Sequence, residues 1–305
     1  MQINKTMTET YPIDFVLTWV DGNDPVWQED MKKYYRSEKG VDVSVARSRE
    51  WDNLRYWFRA IEKFAPWFRT LHFVTWGHLP KWLNTDNPKL HIVKHADFIP
   101  QQYLPTFNSW AITWNMWRIE GLAEYFVYFG DDVFLGQQTE RSRFFKNGIP
   151  CDYAQLAAFK PENPHGHYLL NTLEITHRRH NFRKSILSDP TQWFNAKYSL
   201  PAILKNIYLL PSHSFASLKN PHVTSPYLRS EFEKMWQEEY NALDNTCKSK
   251  FRTYSDVMHW LVRYERLITG NFSPVGIKDT HTDLITDERA EEIADYIIKQ
   301  KYRLF

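Results

Sequence analysis

Ile13 to Val20 (IDFVLTWV) is an almost unbroken apolar run rich in β-formers, and it constrains the fold more than any other stretch. A strand with one wetted face alternates polar and apolar residues. A strand without that alternation is buried on both faces, as happens inside a mostly parallel sheet covered by helices. The run stops at Asp21-Gly22-Asn23-Asp24-Pro25, a cluster of turn formers. From Asn53 the period changes: Leu54, Trp57, Phe58 and Ile61 fall at i, i+3, i+4 and i+7, one face of a helix that Pro66 ends. Leu71 to Gly77 and His91 to His95 read as further short strands. Ile112, Met116 and Ile119 mark a second helical stripe closed by Gly121, and Tyr125 to Asp132 (YFVYFGDD) is a strand whose last positions are two carboxylates. This alternation predicts an α/β fold, a mostly parallel sheet with flanking helices. Ligands of such folds bind beyond the carboxyl ends of the strands, where Asp21 and the Asp131–Asp132 pair both fall.

The second half reads as more helical. Asp189-Pro190 opens a short helix through Phe194. Ser225-Pro226 has the same form, and Leu228, Phe232, Met235, Trp236 and Leu243 continue from it as an apolar stripe of about five turns. Tyr254 to Thr269 and Asp287 to Lys301 are two more amphipathic helices. The 305 residues suit two average domains or one large one. A soft boundary near 140–165 divides an α/β part (1–140) from a mostly helical part (141–305) that completes the active site, and one domain carrying an insertion fits equally well.

Lys plus Arg number 38 and Asp plus Glu 36, a net charge of +2, which argues against a dedicated nucleic-acid binder. Cys151 and Cys247 form no disulfide framework or zinc spacing and read as reduced packing thiols. The N-terminal MQINKTMTETYPID lacks the apolar core of a secretion signal, and no run of ~18 apolar residues occurs, so the expected location is the cytoplasm. Walker A, G-x-G-x-x-G, G-x-S-x-G and H-E-x-x-H motifs are all missing from the sequence, which removes the common NTPase, dinucleotide, serine-hydrolase and zincin readings.

The motifs that remain each admit two readings. Adjacent carboxylates such as Asp131 and Asp132 repel unless a cation intervenes, and a hard divalent ion with a preference for oxygen ligands supplies one. Alternatively they form a solvated turn. In TWVDGNDP, Trp19 can support a base and Asp21 can accept from ribose hydroxyls, or the segment is a type I turn with Asx capping. His222, on a loop between rigid neighbours, suits a general base, histidine being the side chain that titrates nearest neutral pH, or it is structural. Arg252 and Asp256 have the spacing of an i, i+4 ion pair on a helix. The basic run HRRHNFRK (177–184) can meet an anionic polymer, a membrane face or phosphates, or be a solvated helix face.

In order and spacing these pieces resemble the Stealth-type sugar-1-phosphate transferases of bacterial capsules and exopolysaccharides, whose animal relative is the lysosomal-enzyme N-acetylglucosamine-1-phosphotransferase. The resemblance rests on four blocks. They are IDFVLTWVDGNDP; a long block from REWDNLRYWFRAIEKF through LPTFNSWAI to RIEGLAEYFVYFGDDVFLG; a block from NPHVTSPYLRSEFEKMWQEEY through KFRTYSDV; and the short GIKDT at 276–280. It implies a nucleotide-sugar transferase-like fold and an enzyme using Mg²⁺ or Mn²⁺ and a UDP-sugar donor. A hydroxyl of a lipid-linked or polymeric saccharide acceptor attacks the phosphate next to the sugar and UMP leaves.

Carried over by position, Asp131, Asp132 and Asp279 are implied metal ligands, and Asp132, His222 and Arg252 the catalytic groups. Trp19, Asp21, Arg55 and Asn108 are the implied substrate contacts. The implied setting is the cytoplasm, with peripheral association at the inner membrane face. The chain departs from the pattern at three places: Thr113 stands where members carry glutamate, Trp117 where a histidine is frequent, and Gly276-Ile277-Lys278-Asp279 where Cys-Ile-Asn-Asp is usual. Two alternatives remain open, a glycosyltransferase releasing UDP from the same site and a non-catalytic carbohydrate-binding relative.

Overall fold

In a computed structural model, which describes residues 11–35, 52–159, 164–212, 216–282 and 286–305, the apolar run becomes the central strand of a five-stranded sheet. The strands are β1 (Ile13–Thr18), β2 (Leu71–Thr75), β3 (Leu90–Lys94), β4 (Tyr125–Phe129) and β5 (Ser225–Leu228). Their order is β3-β2-β1-β4-β5, with the first four parallel and β5 antiparallel to β4. The missing alternation in β1 has the expected cause. Ile13, Phe15 and Leu17 enter one hydrophobic cluster with Phe73, Val127 and Phe129, and Val16 enters a second with Val74 and Phe126 on the other face. Asp14 is the buried exception. Burial opposes its ionisation, but hydrogen bonds from His72, Arg69 and the Ala123 N–H prevail and hold the carboxyl below its usual range.

Helix α1 (Pro25–Tyr35) follows β1, and α2 (Leu54–Phe64) buries Leu54, Trp57 and Ile61 against the first cluster. On the other face lie α3 (Ser109–Asn115), α4 (Pro164–Arg179), α5 (Phe182–Ser188), α6 (Leu200–Leu209), α7 (Arg229–Glu238), α8 (Tyr240–Lys248) and α9 (Trp260–Thr269); α10 (Ala290–Ile298) lies near the end of the chain. The second half thus supplies helices and also one strand of the main sheet. Among the described residues no helix is long and apolar enough to cross a membrane.

Three sequence expectations are corrected. Ser225-Pro226 begins no helix; it is the start of β5, with Pro226 opposite Val127. Proline is tolerated there because β5 is an edge strand, and α7 starts only at Arg229, where Glu231 accepts the Leu228 N–H at 3.1 Å. The five-turn stripe is two helices separated at Glu239, whose carboxylate receives Arg178 and Arg179 at 2.7 and 3.1 Å. The basic run 177–184 is accordingly partly neutralised, since Arg179 also binds Glu238 and Glu265. Arg252 and Asp256 are not on a helix, because α9 begins at Trp260.

Candidate active site

The site begins where β4 ends. After Phe129 the chain turns at Gly130-Asp131-Asp132, closed by the Val133 N–H donating to the Gly130 carbonyl at 3.2 Å. The Asp132 carboxylate folds back over Gly130, where an added Cβ would stand 2.7 Å from Asp132 Oδ1. Any side chain at 130 therefore pushes the acid out of position. From below, the fully buried Trp57 donates its indole N–H to the Val133 carbonyl at 2.9 Å and packs edge-on against Phe129. Beyond the turn, Phe134 and Phe305 exchange backbone hydrogen bonds at 3.0 Å, and the Gly136 N–H meets the Arg303 carbonyl. The backbone is thus held on both sides while both carboxylates face solvent, Asp132 with 63% of its side chain exposed. Trp57→Phe keeps the packing and removes the indole donor. It is expected to cost about 1 kcal/mol of stability and to lower kcat about tenfold, measured by urea unfolding and by turnover.

The antiparallel pairing of β5 with β4 brings a distant segment to this turn. Ser225 opposes Tyr128, so the loop before β5 arrives beside the end of β4. On that loop His222 places Nε2 3.7 Å from Asp132 Oδ2, and its carbonyl accepts from the Thr282 hydroxyl at 3.2 Å. The two groups are 90 residues apart in the chain.

Arg252 arrives from a third direction. Its guanidinium donates through Nε to Ser109 Oγ at 3.0 Å and lies 4.8 Å from the Trp110 ring centre. Asn108 locks this loop: its Oδ1 caps α3 at the Trp110 N–H, and its Nδ2 donates to Asp256 Oδ2 at 2.8 Å. Asp256 in turn accepts from the Thr253 N–H and hydroxyl. Asn108 is fully buried, so its structural part is to join the FNS segment to the RTYSD loop. Tyr128 ties the three stretches together. Burial pushes its phenol up to about 12, assisted by the charges of Asp131 and Asp132, while the hydrogen bond with Thr18 and the charge of Arg252 act the other way. Arg252 reaches the same strand through two rings: it faces Trp110, whose ring lies 5.6 Å from that of His259, and His259 stands 5.3 Å from Tyr128.

His259, edge-on to Tyr128, is brought down to about 3 by burial and by Arg252, and His95 down to about 4 by burial and by His78. The unfolded chain protonates such histidines near pH 6.5, so it binds more protons than the folded chain below that value and stability falls on acidification. Asp256 runs against this trend. Burial raises it to about 6, so its contribution is complete below 3.8 and is lost as pH rises through 6. The net expectation is a loss of about 1–3 kcal/mol per pH unit from pH 6.5 to 4.5, with Asp256→Asn steepening the slope. Urea denaturation across that range checks it, and a flat profile contradicts it.

The remaining sequence candidates are placed differently. Asp21 lies just beyond β1; its N–H donates to His78 Nε2 at 2.7 Å, and its Oδ1 accepts the Asn23 N–H at 2.9 Å. Trp19 is only 7% exposed, stacked on Phe73 with His78 at its edge, so its ring belongs to the core rather than to an open platform. Arg55 is in the first turn of α2, paired with Asp52 at 2.5 Å, and lines a cleft with Trp82 and Lys89. Asp279 is engaged by Arg143 and Arg303 at 3.2 Å each, on a segment bridged to Leu304. Among the described residues no three His, Cys, Asp or Glu side chains gather as a metal cage, so Asp279 does not complete one with the acidic pair. The pair still fits a cation that takes one or two carboxylates from protein and fills its shell with phosphate oxygens and water, as Mg²⁺ does. Thr113, in place of the family's glutamate, is buried and donates to the Trp110 carbonyl at 3.1 Å.

Sequence reasoning passed over Thr18, Ser109, Tyr128 and His259. A signal existed for the second of these: Ser109 directly follows the capping Asn108. Trp76 also went unremarked. It directly follows β2 as Trp19 directly follows β1, each after a threonine, and is the more exposed of the two.

Two family models match the chain: Stealth protein CR1, conserved region 1, over residues 11–38, and Stealth protein CR2, conserved region 2, over 47–151. The chain is also 40% identical over 263 residues to the capsular polysaccharide phosphotransferase WcwK of Streptococcus pneumoniae, covering 86% of this chain and 80% of that protein. The chain belongs to the Stealth family. The chain is also similar to the exopolysaccharide phosphotransferase cps2G of Lactiplantibacillus plantarum, 37% identical over 87% of this chain and 78% of the relative. The receptor polysaccharide phosphotransferase WefC of Streptococcus oralis is 36% identical over 86% and 80%. Membership places the chain among transferases of phosphorus-containing groups. The first conserved region carries Trp19 and Asp21, and the second carries Arg55, Asn108 and the acidic pair. His222 and Arg252 lie outside both.

Proposed function

We propose that this Stealth protein moves a sugar-1-phosphate, with N-acetylhexosamine as the favoured sugar, from a UDP-sugar to a saccharide hydroxyl in capsular or exopolysaccharide synthesis. What supports the reading is the pairing of Asp132 with His222 beyond the end of β4, with Arg252 linked to the same strand through Trp110 and His259. An acceptor oxygen forms a bond to the phosphorus next to the sugar, the bond from that phosphorus to the UMP oxygen breaks, and the hydroxyl proton passes to His222 Nε2. Asp132, 3.7 Å from that nitrogen, stabilises the imidazolium so formed. Arg252, held by Ser109 and Trp110, meets the charge on the transferring group. A Mg²⁺ or Mn²⁺ ion at Asp131 and Asp132 would neutralise charge on the diphosphate. Positioning and charge compensation are most of what phosphoryl transfer requires.

The reading is tested by incubating the chain with Mg²⁺, a panel of UDP-sugars and a saccharide acceptor, then separating the nucleotides. Acceptor-dependent UMP that disappears with EDTA is expected. UDP without UMP would mean attack at the anomeric carbon and an ordinary glycosyltransferase. Saccharide binding that survives EDTA, with no turnover, would mean a non-catalytic binding protein.

A further inference from the structure

Helix α6 is apolar on both faces: Ala202, Ile203 and Leu209 pack inward on the core. Its inward face carries Asn206, fully buried, which binds the Leu156 N–H and the carbonyls of Ala154 and Trp193. Its outward face carries Leu200, Leu204, Ile207 and Tyr208, exposed by 67, 54, 53 and 81%. These positions are spaced i, i+4, i+7 and i+8, one continuous stripe of a helix. A surface helix ordinarily turns polar residues to solvent, and a contiguous exposed apolar patch marks a contact surface. The only charged residue in the helix is Lys205.

The surroundings of this stripe are basic. At the start of α6, Lys205, Lys219 and Lys278 line a cleft with Ser199 and Pro201. At its end, Arg183 lines a second cleft with Leu209 and Leu210. From Phe182 to Ser212 the sequence has four Lys and Arg (Arg183, Lys184, Lys197, Lys205) against one acid, Asp189, although the whole chain is nearly balanced at 38 to 36. Basic side chains thus border the apolar stripe through both clefts.

We infer that the outer face of α6 docks on a lipid bilayer carrying anionic headgroups, with Leu200, Leu204, Ile207 and Tyr208 entering the headgroup–acyl boundary and the lysines meeting lipid phosphates. An apolar helix face ringed by cations is the chemistry of an interfacial helix, which uses buried apolar area together with attraction to anionic lipid. A second copy of the chain fits less well, because like-charged lysines would face one another across the contact. The inference is independent of the transfer reaction, since none of these residues belongs to the Asp132–His222–Arg252 site.

The test is flotation of the full chain with vesicles of phosphatidylcholine alone and of phosphatidylcholine mixed with phosphatidylglycerol. Binding to the mixed vesicles, weaker binding to the neutral ones and release by salt are expected. The Leu204→Glu/Ile207→Glu double variant should bind the mixed vesicles at least about tenfold more weakly with unchanged circular dichroism. Lys205→Glu/Lys278→Glu should remove the preference for anionic lipid. Failure to bind either vesicle, or binding that both variants leave intact, overturns the inference. So does a dimer in sedimentation analysis that Leu204→Glu/Ile207→Glu dissolves, which would make a second chain the occupant. Each of these failures leaves the released-nucleotide assay unaffected.

Discussion

Asp132→Asn is expected to lower turnover about a thousandfold while leaving the melting temperature within a degree or two of the parent's. The two halves of that expectation have separate causes. Asp132 is mostly exposed and its contact with His222 is between two open side chains, so an isosteric neutral group costs the fold little. Its charge, in contrast, would serve the cation at the diphosphate and also the imidazolium at His222, and both demands peak in the transition state. A loss below about tenfold would return the acidic pair to the status of a solvated turn. Gly130→Ala offers a geometric version of the same experiment: it retains both acids but displaces the Asp132 carboxylate that now occupies the space of the missing Cβ.

Arg252→Ala is expected to cost about 10³–10⁵ in kcat, the range that separates phosphoryl transfer with and without an arginine on the transferring group. Arg252→Lys should restore little. The guanidinium is directed by Ser109 Oγ and by the face of Trp110, and an ammonium on a flexible stem reproduces neither contact. A second readout separates loss of charge from collapse of the loop. Burial first and Arg252 second hold His259 down to about 3, so removing the arginine lets that imidazole rise part of the way and softens the acid limb of the stability curve. If the loop had collapsed instead, Asn108 and Asp256 would lose one another and stability would fall at every pH.

The sheet was legible because its pattern is one-dimensional. Uninterrupted apolar runs and a helical period at Leu54, Trp57 and Ile61 can be read by counting. The position of Asp21 and of the acidic pair followed from the rule that sites lie beyond strand carboxyl ends. The β5 strand was not legible, because Ser225-Pro226-Tyr227-Leu228 is identical in local chemistry to a helix start, and only pairing with β4, about 100 residues away, decides the matter. Arg252 was misread for the same reason: its spacing to Asp256 matches a helix, but Asn108 and Ser109 claim both side chains from across the molecule. Residue type leaves Trp19 open as a base support or as part of a plain turn, and its burial against Phe73 cannot be seen without the third dimension. That His222 and Asp132 serve one site is implied by the family resemblance and by no spacing in the chain; their contact is visible only in the folded molecule.

The most direct measurement follows one oxygen atom. A UDP-N-acetylhexosamine labelled with ¹⁸O at the bridge between the anomeric carbon and phosphorus is supplied with Mg²⁺ and a saccharide acceptor, and the products are read by mass spectrometry and ³¹P NMR. Attack at phosphorus among Asp132, His222 and Arg252 leaves the sugar–oxygen bond intact, so the label is expected in a new phosphodiester on the acceptor, with UMP unlabelled. Label recovered in released UDP would contradict it.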